Sequence, residues 1–306
     1  MWANKVSYSL IISFFLLHFG MDGRAAEPAD SSSVVPQRLI PLSITGAVIY
    51  TGSLTGLHFL WYSDFEKQPF HFFNDNDQWL QMDKVGHAMS GYYITELSDR
   101  SLRYSGVKKN TALLTGSLVS FTYLSAIEVF DGFSAQWGFS TGDFFANTAG
   151  IALYTGQELL WNEQRLRMKF NHLPSPYPHY RPDLLGNSYA EQLLKDYNGQ
   201  AYWLSTNPHN WGNAGNWPKW LNLAFGYSAD GMTGGSVNEF PNLAAGAERP
   251  DFKRTREFYL SLDLNLHAIE ARRNWFRAFR SLFGFIKLPA PAVGVNGQGR
   301  LIGGIR

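Results

Sequence analysis

The segment LIPLSITGAVIYTGSLTGLHFLWY, Leu39 to Tyr62, holds one ionisable side chain, His58. A stretch so apolar has two homes, a lipid bilayer or the interior of a helical bundle. A bilayer core takes about 20 apolar residues, and Trp61 and Tyr62 stand where an interfacial aromatic belt would begin. The many Gly, Ser and Thr residues suit a tightly packed soluble bundle equally, so both readings stay open. Three further helical patterns follow. Val85 to Leu97 begins just after a charged turn, Thr111 to Ile127 is uncharged until Glu128, and Phe144 to Trp161 is uncharged until Glu158. All three are rich in residues small enough for helix backbones to approach closely, as in packed membrane bundles. One compact unit of about four helices over 39–168 is expected.

The remaining sequence narrows the setting. Charged residues make up 17% of the 306 and aromatic residues 16%, with Lys+Arg 26 against Asp+Glu 25. A net charge near zero gives no footprint for nucleic acid, and the aromatic excess favours membrane lipid or envelope proteins as partners. Residues 1–26 combine an early lysine, an apolar core from Leu10 to Phe19 and small residues at Ala25 and Ala26, the pattern of a secretory signal peptide. Arg24 departs from that pattern, and an uncleaved anchor is the alternative. Residues 27–38 read as a polar linker. The chain has no cysteine, which excludes a disulfide-linked partner, a thiolate nucleophile and acylation on a cysteine. An exported protein of the bacterial envelope, membrane-associated with periplasmic exposure, fits these features.

From Lys169 the chain turns polar and proline-rich, and 169–200 reads as a linker. Residues 201–306 read as β-rich. FYLSLDLNLHAI, Phe258 to Ile269, sets apolar residues in alternation with Tyr259, Ser261, Asp263, Asn265 and His267, as a strand with one wet face would. Trp220 to Ala229 alternates similarly, and Ala201 to Ser205 is a shorter third candidate. A closed outer-membrane barrel needs at least about eight strands, so a small antiparallel sheet is expected. Glu270 to Pro289 mixes Arg272, Arg273, Arg277 and Arg280 with Trp275, Phe276 and Phe279, an amphipathic helix for an interface or for a core. The expected class is α+β: a helical bundle followed by a small antiparallel β region.

Charge interrupts the helical unit in three places. Asp83 and His87 lie four apart, one above the other on a helix face, with Lys84 beside them. Glu128 and Asp131 close the next apolar segment, and Asp143 and Asn147 open the last. Each has a plain structural explanation: Asp83 as a helix cap, Ser140 with Asp143 as a capping box, Asp131-Gly132 as a turn, His87 as a hydrogen-bonded core histidine. Together, ionisable groups among membrane-like helices point to function. His87, Asp83 and Glu128 are then the candidate catalytic residues, and Lys84, Asp143 and Asn147 the candidate ligand contacts. No cofactor is required. If a divalent metal binds, His87, Asp83, Glu128, Asp131 and Asp143 are its candidate ligands, in a carboxylate-rich magnesium or calcium site rather than a tight zinc site.

The order of Asp83, Lys84 and His87, then Glu128, then Asp143, Asn147 and Gly150 resembles that of VanZ-like membrane proteins. DKVGHAMSGYY followed by GFSTGDFFANTAG is similar to the YfiM type of predicted periplasmic protein, over about residues 40–165. The resemblance implies an envelope location, a multi-helix membrane-associated unit and a polar cluster, without a reaction. Members of that type are often lipoproteins, and this chain departs from them in lacking cysteine.

Two functions follow. In one, an envelope protein without catalytic activity uses the polar residues to lock its helices and its apolar surfaces to meet lipid or a partner. In the other, an enzyme or ligand-binding protein at the membrane interface acts on a lipid-linked or phosphate-bearing substrate through His87 and the carboxylates. The sequence has no HExxH or phosphate-loop motif.

Overall fold

The computed structural model describes residues 34–57, 66–135, 137–241, 248–269 and 283–306, together with 276, 279 and 280. The signal-peptide reading, His58, Trp61, Tyr62 and half of the Arg-rich amphipathic segment lie outside the described residues. The chain divides into two units, one drawn from residues up to 75 and 87–164, the other from 76–86, 165–269 and 283–306.

Four long helices carry the first unit: α1 (Pro36–Leu57), α2 (Met82–Tyr104), α3 (Lys109–Asp131) and α4 (Thr141–Leu160). The start of α4 is fixed by its sequence. The Ser140 hydroxyl accepts from the Asp143 N–H at 3.1 Å, satisfying one of the N–H groups that a helix start leaves without a partner. Contacts along the helices set their directions. His87 near the start of α2 meets Glu128 near the end of α3 and Asp143 at the start of α4. Asp99, one turn before the end of α2, meets Tyr154 in the second half of α4. Thus α2 runs antiparallel to α3 and parallel to α4.

Small residues let these helices touch. A Cβ on Gly150 of α4 would stand 1.8 Å from the Ala88 carbonyl oxygen of α2, so the two backbones are in direct contact there. This is the close approach that the Gly- and Ala-rich segments foretold.

The second unit holds a six-stranded antiparallel sheet in the order β1-β2-β3-β4-β5-β6, where β1 is Leu166–His172, β2 Gln200–Thr206, β3 Leu221–Asp230, β4 Thr255–Leu264, β5 Pro291–Asn296 and β6 Leu301–Ile305. Each strand pairs with its chain neighbour. The proline-rich stretch read as a linker is folded into this unit. It contributes most of β1 and two short helices, α5 (Pro182–Leu185) and α6 (Tyr189–Lys195), with Tyr177, Arg181 and Leu185 buried.

The sheet's alternation runs opposite to the expected sense. On β4 the polar set Glu257, Tyr259, Ser261 and Asp263 is buried, while Phe258, Leu260 and Leu262 are exposed. The inward face is held by partnered polar groups around a small core of Ala201, Trp203, Ala224, Tyr259 and Ala292. Lys169 Nζ lies 2.6 Å from Asp263 Oδ2, and Ser205 donates to the same oxygen at 2.6 Å. Trp203 Nε1 donates to Asn171 Oδ1 at 2.7 Å. Gly226 opposite Trp203 is required by packing, since a Cβ there would lie 2.6 Å from the indole ring.

Candidate functional site

Three helix ends of the first unit converge on His87. The ring sits in the second turn of α2 and is partly exposed, at 27% of its side chain. Its Nδ1 is 3.2 Å from Asn147 Oδ1 and 3.7 Å from Glu128 Oε1, and its Nε2 is 3.7 Å from Asp143 Oδ1. Asn147 Nδ2 in turn donates to Glu128 Oε1 at 3.5 Å. An amide oxygen only accepts, so with the amide so placed the His87 contact puts a proton on Nδ1. Glu128, Asp143 and Asn147 are all buried. Four residues selected from three separate segments are therefore neighbours: His87, Glu128, Asp143 and Asn147.

Asp83 and Lys84 stand one helical turn before His87 on α2 and are engaged differently. Lys84 Nζ lies 3.1 Å from Asp83 Oδ2, and the Tyr197 hydroxyl donates to Asp83 Oδ1 at 3.0 Å. Immediately before them Trp79, Leu80 and Gln81 all have positive φ, at 48°, 50° and 64°. Non-glycine residues seldom adopt that conformation, and three in a row require tertiary support. Part of it comes from the Trp79 N–H, which donates to the Gly235 carbonyl at 2.8 Å. Asp131 is the last residue of α3, where the chain turns towards α4.

Two features of the first unit escaped the sequence reading. The Ser140 hydroxyl that caps α4 also donates to Asp75 at 2.6 Å, bringing a further carboxylate to this end of the bundle. Nothing in the polar run around Asp75 distinguishes it. Towards the opposite end lies a second charged network. Arg103 Nη2 is 2.7 Å from Asp99 Oδ2 and 2.8 Å from Glu158 Oε2, Tyr154 donates to Asp99 at 2.9 Å, and Gln164 donates to Glu158 at 3.0 Å. Glu96 and Arg100 pair at 2.6 Å one turn away. This network had a sequence signal, because Glu96/Arg100 and Asp99/Arg103 are two pairs at the i,i+4 spacing of helix neighbours.

Residues 71–156 match a family of unknown function described as predicted periplasmic lipoprotein (DUF2279). The matched span contains every residue of the polar cluster and stops short of the sheet. It supports a periplasm-exposed domain of the cell envelope. No curated protein and no solved structure matches the chain. Although the family is described as lipoproteins, these 306 residues contain no cysteine to acylate.

Proposed function

We propose that this is a cell-envelope protein whose helical unit sits in lipid, with the polar cluster locking the helices together rather than performing a reaction. The observation that carries this reading is the unit's inverted partition of side chains. Ile40, Ile44 and Val48 form an exposed stripe on α1, Leu114 and Leu118 are exposed on α3, and Phe145 on α4 is 68% exposed. Asp99, by contrast, is 0% exposed, and Glu96, Glu128, Asp143 and Glu158 are also buried. In water this arrangement forfeits the hydrophobic driving force; in hydrocarbon it is the stable one. Pro36–Gly56 and Lys109–Asp131 are also long and apolar enough to cross a bilayer. The resemblance to YfiM-type and VanZ-like proteins supports the same reading.

Membrane fractionation tests it. The full chain expressed in a Gram-negative host is expected to stay with membranes through a sodium carbonate wash and to leave them in detergent. Release by carbonate would overturn the reading.

A second reading is favoured by one contact. With a proton on Nδ1, His87 Nε2 faces the buried Asp143 carboxylate at 3.7 Å, an arrangement of two acceptors that calls for a bridging proton or cation. The cluster is then a ligand site or a general acid–base pair for a lipid-linked or phosphate-bearing substrate. His87→Ala separates the two readings. Loss of an envelope phenotype with unchanged protein abundance supports the site, and loss of the folded protein supports the locking role.

A further inference from the structure

We infer that the outward face of the β sheet is itself a lipid-binding surface, which lies face-on against the acyl chains of a bilayer. The inference rests on the second unit alone and goes beyond the proposal for the helices.

The register lays the apolar side chains in continuous rows. Leu204 pairs with Phe225, Phe225 with Leu260 and Leu260 with Val293. The next row joins Tyr227 to Phe258, Phe258 to Val295 and Val295 to Leu301. These residues share one face because strand side chains alternate. The face is open, with Phe225 56% exposed, and a shallow groove on it is lined by Leu260, Val293 and Leu301 among others. Across β3 to β6 this face holds a single charged residue, Arg256, near the start of β4.

Three observations select lipid as the occupant. First, the charges that a soluble sheet would place outward are on the covered side: Asp263 is 4% exposed, and Lys169, Lys287 and Glu257 are buried with it. Apolar-out and polar-in is the pattern of strands whose outer solvent is hydrocarbon. Second, a protein-binding face carries a polar rim and hydrogen-bonding groups that set orientation; here the rows run uninterrupted across four strands. Third, the loop between β2 and β3 gathers Trp211, Trp217 and Trp220 at one end of the sheet, and Trp211 and Trp220 are exposed. Lys219 lies within the same loop, and the Arg165 guanidinium sits 5.8 Å from the Trp211 ring. Tryptophan with basic neighbours suits the headgroup layer. The strands β1 and β6 are edges of the sheet among the described residues. Unpaired backbone groups are not tolerated in hydrocarbon, so the contact is by the face, to the depth of its side chains.

Because the chain has no cysteine, single-cysteine variants of the full protein carry one label each. Leu260→Cys and Val293→Cys place an environment-sensitive fluorophore on the face, and Gln298→Cys, in the exposed turn between β5 and β6, is the aqueous control. The protein is reconstituted with phosphatidylethanolamine–phosphatidylglycerol vesicles. Labels at 260 and 293 are expected to shift to the blue, to lose intensity to doxyl-labelled lipid and to resist iodide, whereas the label at 298 is quenched by iodide alone. Iodide quenching at 260 and 293 equal to that at 298 overturns the inference. So does shielding from iodide without lipid quenching, the result expected of a protein partner or a second copy. Leu118→Cys on α3 reports separately on the helical unit. Circular dichroism of each variant establishes that it is folded, and two face positions keep the test intact if one of them perturbs the sheet.

Discussion

Lys287 shows what the inverted sheet asks of a single residue. Its side chain is fully buried, its Nζ donates to the Arg306 carbonyl at 3.0 Å, and the ammonium lies 4.2 Å from the centre of the Trp203 ring. Burial pushes its pKa down from 10.5 to about 8, with the positive charge of Lys169 adding to the fall and Asp263 opposing it. Lys169 is lowered by burial as well. The sign of the pH dependence follows. Between about pH 8 and 10.5 the unfolded chain binds a proton on Lys287 that the folded unit does not, so folding stability rises with pH across that window. Below about pH 8 both states carry the proton and the full penalty of burying the charge applies. Denaturant unfolding of the second unit at a series of pH values should show this rise, and Lys287→Met should flatten it, leaving the part due to Lys169. A stability independent of pH in the parent protein would contradict the assignment.

At the scale of the element, α2 brings Thr95, Glu96 and Asp99 into the buried part of the bundle. Arg103 is the keystone of its C-terminal half, because one guanidinium serves two buried carboxylates, Asp99 and Glu158, on two helices. Arg103→Leu removes the cation that the two share, and breaking a buried ion pair in this way costs about 3–5 kcal/mol. Thermal unfolding in detergent should register that loss, and Asp99→Asn introduced on top of Arg103→Leu should recover part of it. The same helix shows what was legible in the sequence. The long helices were visible because uncharged runs with clustered small residues have few other uses, and the gathering of His87, Glu128, Asp143 and Asn147 followed from their positions near the ends of successive helices. Asp75 was not legible, since its place depends on a loop folding back to Ser140. Strands β5 and β6 are short and glycine-bearing, with Gly294, Gly303 and Gly304 weakening any alternation. The period of β4 was read correctly and its sense was not. A period of two states which residues share a face, and only the surrounding solvent decides which face is covered.

At the scale of the molecule, both units turn apolar side chains outward and keep charges within, one with a helical period and the other with a strand period. They nevertheless rest on different interiors. The helical unit depends on backbone contact at Gly150 and on the Arg103 network, the sheet on Trp203, Asp263 and the two buried lysines. No residue is shared between these two sets, so substitutions in one should leave the internal contacts of the other intact, and effects at sites with no shared partners add. Unfolding should accordingly proceed in two steps rather than one, as expected of chains with more than one cooperative unit. Hydrogen exchange followed by mass spectrometry resolves them by position. Arg103→Leu should lower protection in peptides from 87–164 while those from 200–264 hold theirs, and Lys287→Met should act in the reverse pattern, raising protection of the sheet near neutral pH, where the lysine charge is costly to bury. Loss of protection across both regions from either substitution would show a single cooperative structure.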